Sequence, residues 1–325
     1  GIGLCRTEHM FMAADRLPVM QEMVVSSTTE ERVKHLKKLE KMQEEDFLGI
    51  FESREGLPVT VRLLDPPLHE FLPKIPELTK ALEGLDKESA EAKKILETIA
   101  RARELHEQNP MLGFRGCRLG MIYPEIYEMQ VRAIFNAACK LTAKGLHILP
   151  EIMIPLVGTK AEMKQMHDLV RKIGAEVMKE NGLEVEYMVG TMIELPRAAL
   201  VADQLAEYAQ FFSFGTNDLT QTTFGYSRDD AEGKFLGEYV NMGVFEENPF
   251  ARLDRDGVGA LMEIAAAKGR SVRPDIRLGI CGEHGGNPSS IAFCNKLNLT
   301  YVSCSPFRVP VARLSAALAA LGEIK

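Results

Sequence analysis

Residues 211–230, FFSFGTNDLTQTTFGYSRDD, begin as an apolar run and stop abruptly at Gly215-Thr216-Asn217-Asp218, with Arg228 ten residues beyond Asp218. A short run of this kind reads as a strand covered on both faces that delivers polar groups to a rim. Upstream, residues 187–196, YMVGTMIELP, repeat the design: an apolar strand ends at Glu194, just ahead of a helix opened by Pro196. Successive parallel strands then carry Glu194 and Asp218. Two such carboxylates suit a hard divalent cation such as Mg2+, which takes oxygen ligands from one or two acids and leaves the other positions to water and substrate. The pairing predicts an enzyme.

Eight β-type segments can be read along the chain, at 2–5, 59–64, 116–119, 151–156, 187–193, 211–214, 277–280 and 301–303. Helical patterns separate them. Thr159 and Glu162 form a capping-box signature, followed by Met163, Met166, Leu169, Val170, Ile173 and Val177 at helical spacing until Gly182. Thr28 and Glu31 repeat the signature for a helix over 28–47 with Val33, Leu36, Leu39 and Met42 as its buried stripe, and Pro196 opens a third helix through residue 209. Strands alternating with helices, and no dinucleotide-type glycine fingerprint after the first strand, predict an α/β fold: a single (β/α)8 TIM barrel over 1–325 rather than an open doubly wound sheet. Two connections exceed simple crossovers. Residues 65–110, with a charged helix over 87–107, follow the second strand, and residues 225–256 follow the strand at 211–214, the sixth of the eight. Both are expected over the active-site face as lids.

At 325 residues and 46% hydrophobic content the chain can bury a large core. No run approaches the roughly 20 apolar residues of a membrane span. The first thirty residues contain Arg6, Glu8, His9, Asp15 and Arg16, unlike a secretory signal, so a soluble protein is expected. Its opening, Gly1-Ile2-Gly3-Leu4, reads as a strand already under way and suggests a fragment of something longer. Cysteines 5, 117, 139, 281, 294 and 304 show no CxxC pair, which fits reduced thiols in a cytosol-like compartment, with a plastid open for a plant source. A net charge of −7 without a basic stripe argues against nucleic-acid binding.

In such barrels reactive groups come from the C-terminal ends of several strands. Those ends supply Arg6, Arg62, Arg115 or Arg118, Glu194, Asn217 with Asp218, and Cys281. Arginine forks hold carboxylate and phosphate in fixed geometry, so the set predicts a pocket for a small molecule bearing both groups, or for an enolate beside a metal. Arg228 would add a phosphate contact. Taken singly, each has a plainer reading: Arg6 and Arg62 as surface groups or partners of Glu8 and Asp65, Asp218 as a helix cap, Glu194 as a dipole-favoured acid before Pro196. Cys281 lies at a strand end in Arg-Leu-Gly-Ile-Cys-Gly-Glu-His-Gly-Gly. A buried structural thiol is the plain view there; a proton-transferring thiol kept protonated by Glu283 is the functional one, with His284 a weaker candidate.

With these residues assembled, the whole chain resembles the C-terminal pyruvate/phosphoenolpyruvate-binding domains of the pyruvate, phosphate dikinases, within the phosphoenolpyruvate (PEP)-utilising enzyme family. Seven ordered segments carry the likeness: GLCRTEHMF at 3–11, VRLLDPPLHEFLP at 61–73, MLGFRGCRLG at 111–120, GTMIELPRAAL at 190–200, the 211–230 stretch, CGEHGGNPSSIAFC at 281–294 and YVSCSPFRVPVARL at 301–314. PEP synthases and the phosphotransferase-system enzyme I share the GTND and CGE cores and remain alternatives. The resemblance implies that Arg6, Arg62, Arg115 and Arg228 surround the phosphoryl group and enolate oxygen, and that Glu194 and Asp218 bind Mg2+. It also implies that Asn217 and its neighbour Thr216 hold the substrate carboxylate, and that Cys281 exchanges the methyl proton, with Arg6 and Arg62 beside it in the catalytic set. The choice between Arg115 and Arg118 stays open. In the complete enzymes ATP, phosphate and pyruvate give AMP, diphosphate and PEP through a histidine on a swivelling domain. No histidine here sits in such a carrier motif, so the chain is expected to host only the pyruvate/PEP half-reaction, and to form a homodimer.

Two other readings compete. A Mg2+-dependent pyruvate-enolate lyase needs no phosphate pocket, so phosphate-sensitive binding lost with Arg115 and Arg228 would speak against it. A noncatalytic dimerisation module would use the Ala-rich end, 312–320, and leave the polar set idle.

Overall fold

Strands Ile2–Arg6 (β1), Pro58–Arg62 (β2), Leu149–Ile154 (β3), Met188–Ile193 (β4), Phe211–Gly215 (β5), Arg277–Cys281 (β6) and Tyr301–Val302 (β7) form one parallel sheet in sequence order. They belong to a computed structural model that describes residues 1–86 and 88–324. Side chains alternate across each strand, so β5, buried throughout, serves two layers. Phe211 joins Met153, Met192 and Cys281 inside the ring, while Phe212 and Phe214 join the larger core between ring and helices. Each such burial stabilises by roughly 1.5–3 kcal/mol. Gly3 of β1 lies against the side chains of Tyr301 and Ser303, so the first strand returns beside the last and the ring is nearly closed.

The expected α/β barrel is therefore present, with seven strands among the described residues. The segment at 116–119, read as a strand, instead enters a helix, Cys117–Ile122. Gly116 adopts φ +58°, which breaks the extended path, and β2 pairs directly with β3. A four-residue apolar run does not distinguish a buried strand from a buried helix.

The helix at Lys160–Asn181 has both halves of the predicted capping box and ends at Gly182 in the left-handed conformation. Helix Thr29–Glu52 buries Leu36 and Leu39 as expected, but Arg32, Gln43, Phe47 and Phe51 are buried too, while Val33 and Met42 are half-buried. The helix opened by Pro196 breaks at Val201 into Pro196–Leu200 and Ala202–Ala206. In the first long connection the charged helix spans Ala90–Glu104, and Lys87, its expected start, lies outside the described residues. That helix is tied to the flank, through Arg101 Nε donating to Val24 O (3.2 Å) and the Lys94–Glu22 ion pair (3.1 Å). The two ends of the connection reach the mouth: Asp65 at its start, and Asn109 at its end, which with the following Met111 and Leu112 lines a cavity of about 240 Å³ opposite Asp218, Gln221 and Tyr226.

Candidate active site

Arg6, Arg62, Glu194 and Cys281 stand at or just past the C-terminal ends of β1, β2, β4 and β6, and Asp218 lies in the first turn of helix Thr216–Phe224 after β5. The local sequence explains the convergence: each parallel strand carries its last side chain to the same end of the barrel. Asp65, three residues beyond β2, organises the group. Its carboxylate holds Arg62 Nη1 at 2.9 Å and Arg115 Nε at 3.2 Å, and Arg62 also pairs with Glu8. Arg115 Nη1 in turn lies 3.5 Å from Asp218 Oδ1. Arg62, Asp65 and Arg115 are all buried. Burial alone would raise the Asp65 carboxyl, but Arg62 and Arg115 outweigh it and hold the group below the usual carboxylate range.

Glu194 is fully buried. Its Oε1 accepts from the amide of Leu156 at 2.6 Å, and Leu156 takes φ +59°, uncommon for a residue with a Cβ. Its Oε2 is buried without a partner. Burial, then the charges of Asp218 and Asp65, push the Glu194 carboxyl well above its ordinary range. Four carboxyl groups, of Glu8, Asp65, Glu194 and Asp218, stand with three guanidinium groups, of Arg6, Arg62 and Arg115, so acids outnumber arginines in a cluster that is buried except at its rim, where Arg6 is exposed. A divalent cation on Glu194 and Asp218 would satisfy the partnerless oxygen and reverse that excess, so the donor set fits Mg2+ with water and substrate completing the shell. No cluster of three or more His, Cys, Asp or Glu suited to a metal occurs among the described residues.

Cys281 Sγ is buried, 3.4 Å from Ser213 Oγ and 3.6 Å from Phe214 O. Its thiol is pushed up to about 11, first by burial and then, against a lowering hydrogen bond from Ser213, by Glu194. The acid that raises it is thus Glu194 rather than Glu283. Past the cysteine, Gly282 at φ +106° lets Thr216 and Asn217 approach: a Cβ there would lie 3.0 Å from Asn217 Oδ1. His284 is fully buried, with Nδ1 2.7 Å from Thr216 Oγ1 and Nε2 2.9 Å from Pro249 O, and burial lowers its pKa. Both ring nitrogens are engaged, so His284 ties three segments together instead of facing substrate. The Thr216 hydroxyl is likewise committed, to His284 and to Cys281 O.

Arg118 turns away from the cluster and donates to Leu112 O (2.9 Å) and Gly113 O (2.7 Å), so of the two candidates Arg115 joins the site. Arg228 stands apart from Arg62 and Arg115, paired with Glu232 at 3.3 Å in a neighbouring cavity with Phe250 and Arg308. Arg6 is exposed on the mouth in a cavity of about 320 Å³ that also includes Gly282, Glu283 and Arg308. Sequence reading treated Asp65 only as a possible partner of an arginine and did not single out Leu156 or Arg308. Asp65 follows the strand at 59–64 directly, which is the signal that could have found it.

Gly116 shows how closely the loops meet. A Cβ on it would stand 2.7 Å from Leu156 Cβ and 3.1 Å from Asp65 Oδ1, at a φ that disfavours side chains. Gly116→Ala is expected to cost about 1–3 kcal/mol, read as a lower urea midpoint; an unchanged midpoint would contradict this packing.

The profile described as PEP-utilising enzyme, PEP-binding domain, matches residues 1–321. Among similar proteins, "Pyruvate, phosphate dikinase 1, chloroplastic" of Arabidopsis thaliana is 56% identical over 98% of this chain and 32% of its own length. The "Pyruvate, phosphate dikinase" of Giardia intestinalis is 56% identical over 99% of this chain and 36% of its own, and that of Clostridium symbiosum 55% over the same shares. The chain spans about a third of the length of these relatives. With its sequence matched nearly end to end and its polar residues gathered at one mouth of the barrel, the chain belongs to the PEP-utilising enzymes, as their PEP-binding domain.

Proposed function

We propose that this chain is the single-domain part of a pyruvate, phosphate dikinase that interconverts pyruvate and PEP, with the phosphoryl group exchanged with a histidine on a separate swivelling domain. The observation that carries the reading is the buried, partnerless oxygen of Glu194 in an acid-rich pocket that also holds two buried arginines and Cys281. Glu194 and Asp218 would hold Mg2+, which when bound supplies positive charge to stabilise an enolate oxygen. Arg6, Arg62 and Arg115 orient the phosphoryl and enolate oxygens and offset charge as it spreads in transfer. Arg228 contacts the phosphoryl group from the second long connection. Asn217 holds the substrate carboxylate, with Thr216 keeping the Asn217 turn against the cysteine strand.

Towards pyruvate, the P–O bond of PEP breaks as the histidine nitrogen bonds to phosphorus, and the Cys281 thiol gives its proton to the methylene carbon. The resulting thiolate recovers a proton from solvent. Towards PEP the thiolate removes a methyl proton, and the enolate oxygen bonds to the phosphorus of the phosphohistidine as its P–N bond breaks and the histidine leaves. A thiol titrating near 11 is well suited to the first direction at neutral pH, since it is almost entirely protonated there.

A homodimer is part of the proposal. Val309, Val311, Leu314 and Leu321 expose apolar surface on and just past the last helix, Val309–Ala320, beside a wholly exposed Phe307. A cytoplasmic location rests on the free cysteines, and among the described residues no helix is long and apolar enough to cross a membrane.

Calorimetry tests the reading: PEP should bind more tightly with Mg2+ than without, and Glu194→Gln or Asp218→Asn should abolish the difference. Arg115→Ala should weaken PEP by about tenfold or more and Arg118→Ala by little, since only the former joins the charged cluster. PEP binding indifferent to Mg2+ would refute the role of the acids.

A further inference from the structure

Beside the site just described, two cavities share a wall. The larger, about 320 Å³, is lined by Arg6, Gly282, Ser303, Cys304 and Ser305; the smaller, about 160 Å³, by Arg228, Phe250 and Asn287. Arg308 and Glu283 belong to both. Arg308 has no carboxylate partner among the described residues; its Nη1 lies 3.5 Å from Gly286 O, at the limit of a hydrogen bond. By contrast Arg228 is held by Glu232.

The stem of Arg308 is laid directly over Gly286. A Cβ on that glycine would overlap Arg308 Cδ and come within 3.2 Å of its Cβ, so the absence of a side chain at 286 seats the arginine. Two helices also begin at this wall, Pro288–Lys296 capped by Asn287 and Val309–Ala320 with Arg308 as its first flanking residue. Their N-terminal ends add partial positive charge to the same space. A guanidinium with no acid partner, set between Arg6 and Arg228 and beside two helix N-termini, is arranged for an anion with several oxygens.

We propose that Arg308 is a further phosphoryl-binding side chain of this mouth, seated on Gly286 so that it spans the space between Arg6 and Arg228 and receives the phosphoryl group of PEP. The inference rests on the function proposed above and adds a residue to it. Glu283, facing the same space, is the competing charge that the phosphoryl group displaces.

The test titrates the whole chain with PEP, pyruvate and inorganic phosphate, all with Mg2+. Arg308→Ala should weaken PEP and phosphate by about tenfold or more while leaving pyruvate within about twofold. Arg308→Lys should recover part of the loss, and Gly286→Ala, which keeps the charge but unseats it, should copy the alanine variant. PEP bound as tightly by Arg308→Ala as by the unaltered chain overturns the proposal, as does a loss of pyruvate equal to that of PEP, or a loss confined to free phosphate. If the unaltered chain takes phosphate but neither pyruvate nor PEP, the proposed function falls, and with it this role for Arg308. If only the Arg308 arm fails, the function stands.

Discussion

Cys281→Ala is expected to bind PEP nearly as well as the unaltered chain and to lose exchange of the pyruvate methyl protons with solvent by about 10²–10⁴-fold, the usual range for a removed acid–base group. The sulfur is buried at the end of β6, within reach of Ser213 and the carbonyl of Phe214. Its replacement by a smaller apolar group leaves the charged cluster of Arg62, Asp65 and Arg115 untouched. Proton nuclear magnetic resonance of pyruvate in deuterated water with Mg2+ reads the exchange directly. The pH dependence has a definite sign. Because burial pushes the thiol up to about 11, the thiolate is the scarce form at neutral pH, so exchange in the unaltered chain should climb as the pH rises above neutrality. Normal exchange in the variant would remove Cys281 from the mechanism.

Asp65→Asn is expected to destabilise the fold by about 3–5 kcal/mol at neutral pH, since it strips the shared counter-charge from two buried guanidinium groups. Glu8 still faces Arg62, and Asp218 lies 3.5 Å from Arg115, but the bridge between the two arginines is gone. The carboxyl of Asp65 is held below its unfolded value, so its contribution is fully present above roughly pH 4 and is lost as pH falls through the depressed folded value. The unaltered chain should therefore lose this stability in acid, and the asparagine variant should lack that part of the acid loss. Urea midpoints from pH 7 to pH 3 compare the two. Equal midpoints at pH 7 would show that the pairs around Asp65 contribute nothing.

Strand ends were legible because a short apolar run marks a strand covered on both faces, and the residue that breaks the run falls where the strand delivers its last side chain to the rim. Glu194, Asp218 and Cys281 were found that way. The helix at Cys117–Ile122 was not, because its apolar run suits either element and the deciding feature is the backbone of Gly116. The choice between Arg115 and Arg118 was set by Asp65, fifty residues away in sequence. Offset burial along Thr29–Glu52 has the same origin: Arg32 finds Glu125 at 2.6 Å and Gln43 lies 3.4 Å from Gln130, polar partners on helix Pro124–Thr142 that no periodicity encodes. Arg308 looks in sequence like any surface arginine.

The bond from His284 to the carbonyl of Pro249 pins the far end of the second long connection to the turn that carries the cysteine. Past Gly225, at φ +70°, Tyr226, Phe235 and Phe245 pack around Ala231, Leu236 and Phe250, the last of these lying just beyond that pin. Phe224 of the preceding helix also stacks on Tyr226, with ring centroids 5.3 Å apart, so the segment is fastened to the frame at both of its ends. Arg228 on this segment and Arg308 ahead of the last helix thus face one cavity from two separately anchored parts of the chain, and its width is set by how those two anchors are spaced.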